Sequence, residues 1–214
     1  MRRLTRWSVG RGLGLLLLVQ GCAHTERVRI EVPPRVDLAT WPTLGIVEFR
    51  GTDRPELGSL ATTQFVEMLH AAQAGARILE LGSEPSVLAE VGCSKLDFAA
   101  ARAIGEHFGV DAVFTGSFAL TRPKPTVILG RALESLDASA EVHGLLDVRL
   151  LEAQSGASVW SARSDASAHV ASFGLAKGAL PTFDVSDPRD AYAELVRRLV
   201  DEQRYDFYPT WREQ

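Results

Sequence analysis

The amino-acid sequence predicts one α/β domain in which helices pack on a mixed β-sheet. Short apolar runs alternate with segments of helical periodicity in the order β-α-β-α-β. Two alternating segments around a glycine-containing turn then predict a β-hairpin, and a proline-led segment near the carboxyl end predicts a last helix. This order favours a layered domain, which we assign to residues 42–214.

The first strand is predicted at residues 44–49, an apolar and partly β-branched run that is followed by a glycine. A helix follows over residues 55–72, because its apolar residues recur at intervals of three and four and proline suits the first helical turn. A second short strand is expected at 77–81. The glycine-containing loop after it leaves room for a helical turn at 86–91.

The next helix is predicted between Asp97, a favoured N-cap residue, and Gly109, a favoured helix end. It leads directly into an apolar strand at residues 110–120, as a β-α-β unit requires. We interpret residues 121–138 as a proline-containing insertion and residues 168–185 as an irregular segment.

The hairpin is predicted between these two segments. Residues 142–150 alternate between apolar and polar side chains, which is typical of a half-buried strand. Gly156 supplies the positive φ angle that a tight turn needs, and the returning strand is expected at 158–167.

The carboxyl-terminal helix starts at Ser186-Asp187-Pro188, where either polar residue can cap it. The tail that follows is rich in aromatic residues. We expect this tail to pack back onto the domain; the alternative is an exposed interaction surface for a protein partner. The residues concerned are Tyr205, Phe207, Tyr208 and Trp211.

The amino terminus has the pattern of a secretory signal. Four arginines and no acidic residue precede the apolar run Leu13–Val19, which is too short to cross a bilayer as a helix. The run ends in Val-Gln-Gly-Cys22, which resembles the lipobox of bacterial lipoproteins. The alternative is an ordinary secretory signal in which this cysteine occurs by chance.

The lipobox resemblance implies that residues 1–21 are a cleaved signal peptide and that Cys22 becomes the lipidated first residue. Ala23, in place of an aspartate, implies sorting to the outer membrane, with the chain on its periplasmic face. Residues 22–41 are then a polar tether. Within it, residues 28–32 alternate and are able to add to a sheet edge.

The charge of the mature chain argues against nucleic acid as a partner. Removing the four signal arginines from 23 basic residues leaves 19 against 27 acidic residues, a net charge of −8. Such a chain lacks the basic footprint of nucleic-acid binding. We therefore expect membrane attachment through the lipid alone.

No residue pattern predicts catalysis, a cofactor or a metal site. The five histidines lack metal-ligand spacing, and no strained serine motif is present. Once Cys22 is lipidated, Cys93 is the one remaining cysteine, and we expect it to be a buried small apolar residue. The alternative is an enzyme with a site near Cys93, which would be exposed beside Lys95 or His107.

Three runs occur in a characteristic order: an apolar strand at 44–49 leading into a helix, G-V-D-A-V-x-x-G at 109–116, and V-R-L-x-x-x-x-S-G-x-x-V-W-S at 148–161. With the lipobox, they resemble the superfamily that includes the curli-secretion lipoprotein CsgG and the activator of penicillin-binding proteins LpoB. The resemblance covers roughly residues 42–205. It implies a periplasmic α/β domain related to the amino-terminal domain of TolB, and action by binding proteins rather than by catalysis.

This resemblance leaves two functional hypotheses. One is a lipid-anchored interaction domain of a secretion or cell-wall assembly, whose protein partner the sequence does not identify. The alternative is a subunit of a homo-oligomeric CsgG-like outer-membrane secretion pore, in which residues 121–138 and 168–185 form membrane-spanning hairpins. Each segment has 18 residues, whereas a transmembrane strand needs about 9–11 residues and a hairpin needs two. Residues 121–125 also lack the alternation such strands require.

Overall fold

The computed structural model describes residues 29–121, 124–129, 135–176, 182–184 and 188–213. Within them the chain forms a mixed sheet with helices packed on it, which confirms the predicted fold class. Cys22, the signal peptide and the first part of the expected tether lie outside the described residues.

The strands are β1 Arg29–Val32, β2 Leu44–Glu48, β3 Arg50–Gly51, β4 Ile78–Ser83, β5 Ala112–Leu120, β6 Lys124–Leu129, β7 Ser135–Glu152, β8 Ser158–Ala176, β9 Thr182–Asp184 and β10 Thr210–Glu213. The α-helices are α1 Pro55–Ala72, α2 Glu84–Glu90, α3 Phe98–Phe108 and α4 Pro188–Gln203. Short 3-10 helices occur at Leu38–Thr40 and Arg204–Asp206.

The main sheet has the strand order β4-β2-β5-β7-β8-β9, with β3 beside β5 and β6 beside β7. Strand β2 is parallel to β4 and β5, and all pairs from β5 through β7 and β8 to β9 are antiparallel. Strands β1 and β10 form a separate antiparallel ribbon.

The helices cover both faces of the sheet. Alternate residues of a strand face opposite sides, so Phe114 of β5 packs with Phe65 of α1 and Leu195 of α4, whereas Val113 packs with α2 and α3. The ring centroids of Phe65 and Phe114 are 5.4 Å apart in an edge-to-face arrangement. The larger core therefore lies between the sheet and the pair α1 and α4.

The boundaries of α3 follow from the capping residues that the sequence predicts. The Asp97 carboxylate accepts hydrogen bonds from the backbone N–H groups of Ala99 and Ala100, at 3.0 and 3.2 Å. Gly109 then adopts a left-handed conformation with a φ angle of 67°. Both signals are local in sequence, which explains why this helix was predictable.

The interpretation of residues 168–185 as irregular is wrong. Strand β8 continues to Ala176, and β9 pairs with it in antiparallel register. Residues 121–138 likewise contain β6 and the start of β7. Proline is compatible with β6 because this strand pairs with β7 alone among the described strands, and a sheet edge tolerates the missing donor.

Part of the expected tether, residues 22–41, packs on the domain. Val36 and Leu38 are only 5% and 1% exposed and belong to the core. The Gln73 side chain holds this segment, accepting a hydrogen bond from the Leu38 N–H and donating one to the Val36 carbonyl, each at 2.7 Å. The packed domain therefore begins before residue 42.

Candidate interaction surfaces

Beyond the end of β5, the sheet continues as a four-stranded extension. We define the extension as β6, β9, and the parts of β7 and β8 at residues 135–141 and 169–176. Its strand order is β6-β7-β8-β9, and all its pairs are antiparallel. The interpretation of these segments as an insertion and an irregular stretch does not predict it, whereas the pore alternative places a hairpin in each. The alternation of polar and apolar residues at 135–141 is a signal that could have indicated it.

The extension begins beside the first turns of α4, where Glu141 and His169 lie close to Asp190 and Ala191. The Arg54 guanidinium, just before α1, sits 4.7 Å from the ring centroid of Tyr192 in the first turns of α4. The two helices therefore begin side by side, near the end of β5, and run back along the domain. At their other ends, the Gln73 side chain donates a hydrogen bond to the Phe207 carbonyl at 3.0 Å.

The strand register separates apolar from polar residues on the two faces of the extension. Directly opposed residues of an antiparallel pair share one face. On one face every residue is apolar: Pro125, Val127 and Leu129 of β6, Leu136, Ala138 and Ala140 of β7, Ala171, Phe173 and Leu175 of β8, and Phe183 of β9. The opposite face is mainly polar: Lys124, Thr126, Ile128, Ser135, Asp137, Ser139, Glu141, His169, Ser172, Gly174, Ala176, Thr182 and Asp184.

A β-bulge keeps the apolar residues on a single face. Ala140 pairs with Ala171 and Glu141 pairs with His169, so Val170 is the extra residue of β8. Before this residue, even-numbered positions such as Ser164 and Ala168 are buried in the core and pair with even-numbered positions of β7; after it, odd-numbered positions pair with them. A bulge shifts the alternation by one. The apolar face therefore continues the face on which α1 and α4 pack.

The four aromatic residues of the tail divide between core and surface. Phe207 is fully buried, and its ring centroid is 4.9 Å from that of Trp160. Its side chain therefore packs back onto the domain and is not exposed to a partner. Tyr208 is half-buried against the core. Tyr205 and Trp211 are 72% and 61% exposed and remain candidates for such a surface.

Cys93 is half-buried rather than buried as expected. Its sulfur lies 3.8 Å from the Val91 carbonyl oxygen. The two groups proposed to activate it are paired with carboxylates instead: Lys95 with Asp97 at 3.2 Å, and His107 with Glu90 at 3.7 Å. These contacts do not form the constellation that the enzyme hypothesis requires.

The pKa shifts of the described residues have structural causes. The backbone N–H of Ala100 and then Lys95 lower the pKa of Asp97, and Asp147 raises the pKa of Arg163 through a bidentate ion pair. Ion pairing with Arg197 lowers the pKa of Glu194. In the part of the chain that the structure describes, no group of three potential ligands is arranged to hold a metal ion.

None of the helices in the described part of the chain is both long enough and apolar enough to cross a membrane.

The fold and its surfaces define a class of protein: a mixed α/β domain whose sheet extends into strands with one apolar face. No family model matches the sequence, and no curated protein matches it.

Several solved structures are similar to this chain at low sequence identity. The PelC dodecamer from Paraburkholderia phytofirmans has 16% identity and a TM-score of 0.38, over 81% of this chain and 95% of that chain. Lipoprotein GNA1162 from Neisseria meningitidis has 17% identity and a TM-score of 0.35, over 75% and 96%. The LpoB C-terminal domain from Escherichia coli has 16% identity and a TM-score of 0.35, over 61% and 87%.

Proposed function

We propose that this chain is a lipid-anchored, non-catalytic interaction domain of a cell-envelope assembly, and that it assembles through the apolar face of the extension. The observation that carries the proposal is the register that collects ten apolar residues on one face of β6 to β9. Contiguous apolar patches of this kind mark protein or membrane interaction sites.

The anchor of the proposed protein is Cys22, lipidated after removal of residues 1–21. The outer membrane, reached from its periplasmic face, is the proposed location. Because β1 begins at Arg29, only six residues separate the anchor from the first strand. The seven Cα–Cα steps from Cys22 to Arg29 span at most about 25 Å. The proposed tether is thus residues 22–28, much shorter than the sequence suggests.

The distance between the β1–β10 ribbon and the extension supports a protein partner for the extension. The β1–β10 ribbon is attached near Trp160, because the Asp206 carbonyl accepts from the Val36 N–H while its carboxylate accepts from the Trp160 indole. Trp160 pairs with Leu150 of β7, and the extension begins nine residues away at Glu141. At about 3.3 Å per residue, this separation is about 30 Å. A short tether at the ribbon therefore favours a protein, including a second copy of this chain, as the occupant.

A pore subunit is the second candidate function. The observation that favours it is the same register, because strands that separate lipid from water carry apolar residues on one side and polar residues on the other. For this role, β1 would have to leave β10 and lengthen the tether. The strand β6 has six residues, fewer than the roughly 9–11 that cross a membrane.

The test is the mass of the mature lipoprotein, extracted gently from outer membranes and measured by light scattering with correction for detergent. The variant is Phe173→Asp on the apolar face, and the matched control is Ser172→Asp on the polar face. We expect the first to lose self-association or crosslinking to a partner, and the second to keep it. Equal behaviour of both variants would contradict the proposal.

The same measurement separates the two candidate functions. A ring of many subunits would favour the pore, whereas a monomer or dimer with a crosslinked partner would favour the docking domain. The proposal that the protein is not an enzyme is tested with the Cys93→Ser variant, which we expect to leave the cellular role unchanged. Loss of that role in a folded Cys93→Ser protein would restore the enzyme hypothesis.

A further inference from the structure

The β1–β10 ribbon presents large apolar side chains to solvent. Trp211 is 61% exposed and Ile30 is 42% exposed. They lie on opposite faces, because Trp211 is paired with Glu31 and Ile30 with Arg212. We infer that this ribbon is a membrane-contact site whose ligand is the bilayer surface to which Cys22 is attached. The inference rests on the proposed lipid anchoring.

The length of chain before the ribbon keeps it at the bilayer. Six residues lie between Cys22 and Arg29, so an anchored chain holds the first residue of β1 within about 25 Å of the lipid. Trp211 is paired with the third residue of the same strand. It therefore remains close to the membrane in every conformation that preserves the ribbon.

The construction of the ribbon favours an outside partner. Its two strands have four residues each and pair with each other, separately from the main sheet. A lone two-stranded sheet is marginally stable in water. Contact of the Trp211 face with a bilayer surface would cover the more exposed of its two large apolar side chains.

Its chemistry suits the headgroup region. Tryptophan is enriched at membrane–water interfaces because its ring is apolar and its N–H is polar. Arginine stems are able to bury while their guanidinium groups stay with the headgroups. The ribbon carries Arg29 and Arg212 against Glu31 and Glu213, so its contact depends on apolar and aromatic area rather than on net charge.

The core determines which end of the domain faces the membrane. Asp206, four residues before β10, is held at the start of β8 by a 2.8 Å hydrogen bond from Trp160. Phe207 is fully buried beside it. The ribbon is thus fixed to the end of the domain away from the extension, and its contact with lipid would direct the extension away from the bilayer.

The experiment measures tryptophan emission from the mature, lipidated protein in phosphatidylcholine vesicles, with and without phosphatidylcholine brominated near the headgroup. The parent protein is compared with the Trp211→Phe variant, which retains the half-buried Trp41 and the 6% exposed Trp160. We expect brominated lipid to reduce the Trp211 contribution at least about twofold, since an interfacial indole lies within reach of the quencher. Emission from Trp211→Phe should change little, and adding anionic lipid should not increase the quenching.

The control for position is Trp211→Phe combined with His143→Trp. His143 is exposed on β7, nine residues from Glu152, or about 30 Å along the strand. We expect this tryptophan to escape quenching. Equal quenching at both positions, or none at Trp211, overturns the ribbon inference.

Vesicle flotation and the mass of the amino-terminal peptide distinguish the possible failures. If Cys22 carries lipid and the protein floats while Trp211 is unquenched, the ribbon inference alone is overturned. If Cys22 carries no lipid, both the inference and the anchoring proposal are overturned. Floating protein with quenched Trp211 supports both.

Discussion

The indole nitrogen of Trp160 donates a hydrogen bond to the carboxylate of Asp206 at 2.8 Å. This contact joins the start of β8 to the segment that follows α4, across 46 residues of sequence. Beside it, the ring centroids of Trp160 and Phe207 are 4.9 Å apart. The bond and the ring contact together hold the carboxyl-terminal segment, and with it the β1–β10 ribbon, against the sheet.

The first prediction concerns this contact. Asp206→Ala removes the acceptor of the Trp160 indole and the partner of Arg35 at 3.5 Å. We expect a loss of about 1–2 kcal/mol in the free energy of unfolding, because the buried donor is left without its acceptor. Urea unfolding monitored by tryptophan fluorescence measures it. Asp165→Ala, at an exposed position of β8, is the control and should stay within about 0.5 kcal/mol of the parent.

The second prediction concerns a buried polar network between α4 and the sheet. Gln203 is 4% exposed, and its Nε2 donates to the Leu146 carbonyl at 3.2 Å and to the Ser164 hydroxyl at 3.1 Å. The Ser164 hydroxyl donates in turn to the Leu199 carbonyl at 2.8 Å. Gln203→Ala should cost about 2–3 kcal/mol and Ser164→Ala about 1 kcal/mol, since each removes buried hydrogen bonds.

A double-mutant cycle in denaturant tests this network. Because the two side chains share a bond, the double variant should be less destabilised than the sum of the single variants. Strict additivity would contradict the network. Exposed Gln154→Ala is the matched control.

The third prediction concerns the close approach of α1 to the chain before it. A Cβ atom at Gly58 would lie 2.1 Å from the Phe49 carbonyl oxygen. Gly58→Ala should therefore cost about 1–3 kcal/mol through overpacking, although alanine is the better helix former. Gly75→Ala, where a Cβ would meet no atom within 4 Å, should be nearly neutral. Thermal unfolding measures the stability of the two variants. A stabilised Gly58→Ala variant would contradict the close approach of α1 to the Phe49 carbonyl.

The fourth prediction is a pH dependence at the start of α3. The folded state lowers the pKa of Asp97 below its ordinary value of 3.8, chiefly through the Ala100 N–H and then through Lys95. A lowered pKa stabilises the fold above the ordinary value, and this contribution is lost as the pH falls through the folded-state value. Asp97→Asn keeps a capping side chain but lacks the charge.

The stability difference between the parent and Asp97→Asn should thus be present at neutral pH and vanish in strong acid. Urea midpoints measured from about pH 6 down to about pH 2.5 record it. Lys95→Met should retain most of the difference, because the backbone donor is the larger cause. A constant difference across the whole range would show that the Asp97 charge does not stabilise α3.

The elements that could be predicted from the sequence are those whose signals are local. Pro55 marked the start of α1, and Asp97 and Gly109 marked both ends of α3, because a capping side chain or a left-handed residue acts within one helical turn. The alternation around Gly156 predicted the hairpin for the same reason.

The surfaces, by contrast, depend on contacts between residues that are remote in sequence. Phe207 is fully buried because its ring packs against Trp160 and Phe65, which are remote in sequence. Trp211, four residues later, is exposed. Val36 and Leu38 join the core through contacts with Gln73. The apolar face of the extension required the Val170 bulge, which only the pairing of β7 with β8 reveals. Strand register is a relation between distant residues, so a single sequence does not specify it.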